Sequence, residues 1–156
     1  MISFISTILG VCVLSTAVRR IIMNLFEAGV YQKTIIPKLL DYVFVINDGA
    51  AYGMLAGKKW LLVAITSVII IAICAYVYVT RKTINKVELF SLSLIVGGGL
   101  CNLYERIVFD YVHDYIDIHI LPVFNVADIA VTCGCVLLVI AVLIIDPRLT
   151  KNAERK

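Results

Sequence analysis

Four long apolar stretches, separated by more polar connections, set the pattern of this chain. Residues 2–18 carry no charge and stop at Arg19-Arg20. Residues 60–79 are twenty uncharged positions held between Lys58-Lys59 and Arg81-Lys82. A third stretch covers 89–104, and a fourth covers 126–145, with Pro147 marking its end. A helix of about 20 apolar residues crosses the hydrocarbon core of a bilayer, so four transmembrane helices are expected. In the first stretch the positive charge follows the apolar run instead of preceding it. A cleaved secretory signal peptide has the reverse order, so this run is expected to stay as a span. Gly97-Gly98-Gly99 lies in the third span, where small residues let helices approach closely.

The connections have their own pattern. Residues 19–59 contain Gly29, Pro37 and, at 42–46, the β-branched and aromatic run YVFVI, followed by the turn signal Asn47-Asp48-Gly49. A short strand entering a tight turn is expected there, within a small extramembrane lobe. An open strand edge cannot sit in hydrocarbon, so the lobe belongs at the interface or over the mouth of the bundle. Four spans put both termini on one side and the connections 19–59 and 105–125 on the other. That parity brings Asn47, Arg106, Asp114 and Asp128 to one membrane face. Seven basic residues fall on each side, with the denser clusters beside the termini, which orients the termini toward the cytoplasm.

Composition fixes the solvent. The chain has 156 residues and is 62% hydrophobic and 16% charged, against roughly 45–50% apolar residues in a soluble domain. A single integral membrane domain is expected, an all-α bundle of four transmembrane helices with a small β-containing lobe. A net charge of +3 gives no reason to expect a nucleic-acid partner. The five cysteines, Cys12, Cys74, Cys101, Cys133 and Cys135, lie in or beside apolar runs without the spacing of a disulfide framework or a zinc site. Cys133 and Cys135 would project about 200° apart on a helix. All five read as small, buried apolar residues.

Candidate chemistry concentrates in 97–128, which holds five of the eleven acidic residues and both histidines. Ionisable groups beside a span are costly unless paired or wet, which marks them as functional candidates. Asn125 and Asp128 begin the fourth span. They fit a helix N-cap and its third residue, yet Asp128 is also shallow enough to meet a carboxylate arriving from the preceding loop. Asp114 is the proposed partner, with Asp110 and Asp117 competing. If 107–119 is helical, the three form one acidic face; if it is extended, Asp114 shares a side with Val112 and Ile116. His113 and Asp117 could ligate a metal, but two ligands make no site. Two carboxylates in one site cannot both ionise easily, so one holds a proton while the other activates water. Asn102 and Arg106 are neighbours on a helix face. Arg106 either snorkels to the interface or orients carboxylates and a substrate carbonyl.

Together, NDGAAYG at 47–53, GGGLCNLYER at 97–106, VHDY at 112–115 and FNVAD at 124–128 resemble the conserved blocks of the lipoprotein signal peptidase (signal peptidase II) family, in order and over nearly the whole chain. That resemblance implies a membrane aspartyl endopeptidase that removes the signal peptide from prolipoproteins, before a cysteine carrying a diacylglyceryl group. It implies Asp114 and Asp128 as the catalytic dyad, and Asn47, Asn102, Arg106 and Asn125 as surrounding substrate-binding positions. It further implies a β-cradle lobe, an active site on the extracytoplasmic side of the bacterial cytoplasmic membrane, contact with membrane lipid, and neither cofactor nor metal. A monomer is expected. The chain departs from the family where a DQxxK-like block becomes Ser15 and Arg19, and where GNxxDR becomes Cys101 to Arg106 with Glu105 in place of aspartate. A non-catalytic lipoprotein-binding paralogue is the alternative, whereas a carrier would show internal repeats that are not seen. Asp110, Asp117, His113 and His119 are expected to be bystanders.

Overall fold

A computed structural model of the chain describes residues 1–145. Pro147 and the basic residues Arg148, Lys151, Arg155 and Lys156 lie outside the described residues. Four helices form the bundle: α1 (Ile2–Glu27), α2 (Lys59–Thr80), α3 (Lys86–Phe109) and α4 (Val126–Ile140), the last running into a π-helical turn, Ala141–Ile145. All four are long and apolar enough to cross a membrane. Exposed Ile2, Val13, Val68 and Val79 give the outer surface the apolar character that lipid requires.

Helix α3 is the central element, and its glycines show why. A Cβ on Gly97 would meet the Val11 side chain of α1 at 2.9 Å, and one on Gly98 would meet the Ala127 carbonyl oxygen of α4 at 2.3 Å. From α4, a Cβ on Gly134 would meet the Ser91 carbonyl oxygen at 2.7 Å. The small residues therefore allow α3 to lie against both neighbours nearly backbone to backbone. Phe4, Val77, Leu92 and Val96 fill the core between α1, α2 and α3.

Helix α1 continues to Glu27 instead of ending at Val18. Arg19 does not end the helix because its guanidinium has somewhere to go: it lies 5.1 Å from the Phe109 ring centroid and 3.6 Å from Glu105 Oε1. The cysteines also differ from expectation. Cys12 and Cys101 are half-buried between α1 and α3, but Cys74, Cys133 and Cys135 are exposed. On a helix surrounded by lipid, an apolar residue need not face the protein.

Beyond α1 the chain builds a three-stranded antiparallel sheet in the order β1 (Gln32–Ile36), β2 (Leu40–Asn47), β3 (Val112–Asp117). The expected strand at 42–46 is β2, lengthened at both ends. The open question over 107–119 resolves into the end of α3 and a strand. Asp110 stops α3 in a left-handed conformation, φ 74°, which lets the chain turn back and pair with β2. Register sets Val45 opposite Asp114 and Asn47 opposite Val112. Ile22, Tyr42 and Tyr115 seal the sheet onto the end of α1. After Asn47 a short loop with a 3-10 turn, Ala51–Gly53, leads into α2.

Candidate active site

Strand β3 and the start of α4 bring the two aspartates to one cavity. Asp114 is 2% exposed. Its Oδ2 accepts a hydrogen bond from Asn47 Nδ2 at 2.7 Å, and its Oδ1 accepts one from Asn125 Nδ2 at 2.8 Å. Asn125 also caps α4. Its Oδ1 accepts from Asp128 N at 3.0 Å, and Asp128 Oδ2 accepts in return from Asn125 N at 3.1 Å, a reciprocal capping box. Asp128 Oδ1 accepts from Asn102 Nδ2 at 2.7 Å, while Asn102 Oδ1 accepts from Asn125 Nδ2 at 3.3 Å. The two carboxylates are thus joined through the amides of Asn125 and Asn102. The helix cap and the meeting of carboxylates are one arrangement, not alternatives.

Arg106 ties α3 to the loop after β2. Its Nη2 donates to the Gly49 carbonyl oxygen at 2.8 Å and its Nη1 to that of Asn102 at 3.3 Å, while Nε is buried with no protein partner. Gly49 is required at this point, since a Cβ there would meet the Met54 carbonyl oxygen at 2.7 Å. The Gly49 amide in turn donates to Asn47 Oδ1 at 2.9 Å, which turns the Asn47 amide nitrogen toward Asp114.

A cavity of about 290 Å³ is lined by Asn47, Asn102, Arg106, Asp114 and Asp128, with Tyr52 and the 121–124 segment as its less polar wall. A second, of about 210 Å³, lies among α2, α3 and α4 against Thr66, Ile70 and Gly99, and shares Asn102, Arg106 and Asp128 with the first. Polar groups therefore meet a route bounded by apolar helix faces.

Burial pushes the Asp114 carboxyl up to about 6. The hydrogen bond from Asn47 opposes that shift, and the nearby Asp128 charge adds to it. Tyr115 is pushed up to about 12, again mainly by burial, and its hydroxyl oxygen accepts from Val126 N at 3.3 Å, which docks the start of α4 on β3.

Other candidates go elsewhere. Asp110 is exposed and pairs with Lys59. His119 is 41% exposed in its side chain and lies 3.6 Å from Asp41 and 3.7 Å from Asp117. His113 is no bystander in the packing. It is 2% exposed, and its Nδ1 is 2.6 Å from Glu105 Oε2 on the side of β3 away from Asp114. Its partner is not Asp117, and among the described residues no three His, Cys, Asp or Glu side chains converge on a point that could hold a metal. Sequence reasoning passed over Gly49 as a hydrogen-bond acceptor and Glu105–His113 as a pair. The adjacency of Glu105 to Arg106 and of His113 to Asp114 was the available signal.

Two solved structures of bacterial membrane enzymes, determined in meso at 2.3 Å and 1.9 Å, share this architecture. The first gives a TM-score of 0.81 at 28% identity, covering 92% of this chain and 88% of the other. The second gives 0.78 at 29% identity, covering 92% and 94%. The lipoprotein signal peptidase of Syntrophomonas wolfei is 37% identical over 141 residues, 90% of this chain and 87% of the relative. That of Halothermothrix orenii is 43% identical over 106 residues, 68% and 72% of the two chains. Residues 7–144 match the family described as signal peptidase (SPase) II. With four membrane-spanning helices and a match along nearly its full length, the chain belongs to the signal peptidase II family.

Proposed function

We propose that this protein is an aspartyl endopeptidase that removes the signal peptide from diacylglyceryl-modified prolipoproteins, with Asp114 and Asp128 as its catalytic dyad. The observation that carries the proposal is the convergence of both carboxylates on one cavity, linked through Asn125 and Asn102. Asp114, with its carboxyl pushed up to about 6, is the member that holds a proton. Asp128 lies in the first turn of α4, where the helix N-terminus and backbone N–H donation favour a carboxylate. Asp128 takes a proton from a water held between the two, and that water attacks the scissile carbonyl. Asp114 gives its proton to the carbonyl oxygen; on collapse of the tetrahedral species Asp128 passes the proton it took to the leaving amine, and a hydroxyl of that species returns one to Asp114.

The surrounding polar groups have separate tasks. Asn47, Asn102 and Asn125 hold the carboxylates with neutral amides, which fix their positions without neutralising them. Arg106 and Asn47, which line the cavity, are suited to bind the substrate's backbone carbonyls. The apolar walls of the second cavity suit acyl chains, which would keep the scissile bond at the depth of the dyad. The site lies at the end of the bundle that carries the lobe, and the denser basic clusters beside the termini support placing that end on the extracytoplasmic side of the bacterial cytoplasmic membrane. The chain acts as a monomer in this reading, in contact with membrane lipid.

The test uses purified protein and a diacylglyceryl-modified precursor, with release of the signal peptide as readout. Asp114→Asn and Asp128→Asn are each expected to reduce cleavage by at least about 10³-fold while still inserting in the membrane. Full activity in either variant rejects the dyad. Precursor binding without cleavage by the unaltered protein would instead identify a lipoprotein-binding paralogue. Unchanged activity after chelation is the expected result, and loss would favour a metal.

A further inference from the structure

We infer that Glu105 and His113 form a positioning clamp that sets where Asp114 stands relative to Asp128. The inference deepens the dyad reading and rests on it. One oxygen, Glu105 Oε2, pairs with two nitrogens of a single residue: His113 N at 2.9 Å and His113 Nδ1 at 2.6 Å. The other oxygen, Oε1, lies 3.6 Å from Arg19 Nε of α1. Glu105 is 6% exposed and His113 2%, so water does not dilute their pairing, while the Arg19 side chain is 19% exposed. Charge-assisted bonds of this kind are short and strongly directional.

The placement along the chain gives the clamp its consequence. Glu105 directly precedes Arg106 on α3, and His113 directly precedes Asp114 on β3. The clamp therefore fixes the two chain segments one residue away from the two side chains that line the cavity. Pairing with β2, the bridge to Phe124, the packing of Tyr115 and the amide contacts of Asp114 also hold β3, and the clamp adds the link between β3 and the α3 residue next to Arg106. Phe109 and Tyr111 rings lie 5.5 Å and 5.1 Å from the imidazole, so His113 has little room to choose another acceptor. Neither Glu105 nor His113 borders the active-site cavity, so both act through Asp114 and touch no substrate.

The experiment compares three variants at His113 with Asp114→Asn in the same precursor-cleavage assay, each measured on folded, purified protein. His113→Val keeps the backbone N–H but removes the ring donor. Its kcat is expected to fall about 10- to 100-fold with KM little changed, the size expected for a displacement near 1 Å of a reacting group. His113→Asn offers an amide N–H where Nδ1 stood and is expected to restore kcat to within about threefold of the parent. Should His113→Val not fold, His113→Gln takes its place, carrying the same amide one methylene further out, with reduced kcat again expected. Parental kcat in the Val or Gln variant overturns the clamp, as does an equal loss in the Asn variant or a loss confined to KM. An active Asp114→Asn protein overturns the dyad instead, so the two failures are distinguishable.

Discussion

The two sides of β3 hold buried polar groups that differ in one respect. His113 and Asp114 are consecutive, each is 2% exposed, and each makes short hydrogen bonds. On the His113 side the charges are opposite in sign: Glu105 pairs with His113 N and Nδ1 and lies next to Arg19. On the Asp114 side two acids are held by three neutral amides, and both acids line a cavity together with Arg106. The first cluster lies away from the cavity, with Glu105 as the acceptor for His113. The second opens onto the cavity. Buried polar groups can thus serve stability or chemistry according to whether their last partner is supplied by the protein or left for a ligand.

The comparison breaks most readily at Glu105. Glu105→Leu leaves Arg19 and two His113 N–H donors without their acceptor in a buried setting, and a loss of about 3–5 kcal/mol of stability is expected. Unfolding in detergent, followed by denaturant or heat, measures it. A loss below about 1 kcal/mol would show that water reaches the cluster and that it is not closed.

Asp114 should behave in the opposite sense. Its carboxyl, ordinarily near 3.8, is raised to about 6 in the folded protein, so the folded state binds the extra proton between those values. Stability from this group is present below about pH 4 and is lost as pH rises toward 6. Asp114→Asn cannot ionise, so it is expected to gain on the parent over that window, by up to about 3 kcal/mol before the altered amide contacts are subtracted. Unfolding at pH 4 and pH 7.5 reads the difference. The same titration should limit catalysis: kcat/KM is expected to fall as pH rises through about 6, where Asp114 gives up the proton it must donate. Stability that does not change between the two pH values in the parent would place the charge elsewhere.

Asn125 links the open cluster to the fold, so its loss should register in both ways. Asn125→Ala removes the donor to Asp114 Oδ1 and the cap of α4. About 1 kcal/mol of stability is the usual value of such a cap, whereas misplacing both carboxylates is expected to lower kcat about 100-fold. A loss of stability without a loss of kcat would reduce Asn125 to a helix cap.

The spans at 60–79 and 126–145 were legible because apolar runs bounded by charge or opened by Asn-x-x-Asp leave little choice of structure. The polar residues of the cavity were legible as a group through span parity, which brings distant segments to one end of the bundle. Strand β1 was not, since all five of its residues are exposed and it exists only by pairing with β2. Nor was the true length of α1, because the reason Arg19 can remain helical lies on α3. The burial of His113 was not legible for a related reason. A strand on the surface alternates buried and exposed residues, but β3 is covered on both faces, and one sequence contains no record of the second cover.

The smallest effect is expected at His119, and it sharpens the contrast by repeating the same residue types without their surroundings. Asp41 and Asp117 face each other across β2 and β3, with His119 near both, so a histidine and two carboxylates meet here as well. The imidazole is 41% exposed and its distances of 3.6 Å and 3.7 Å exceed hydrogen-bond length, so solvent screens most of the attraction. His119 also adopts a left-handed conformation, φ 64°, and its backbone N–H donates to Asp117 Oδ1 at 2.7 Å, a bond that alanine would keep. His119→Ala is therefore expected to change stability by less than about 0.5 kcal/mol and to leave cleavage unaltered. A larger loss of stability, or any loss of kcat, would mean that residue type alone predicts the role of these clusters. The expected null result would instead assign the difference to burial and to the open cavity.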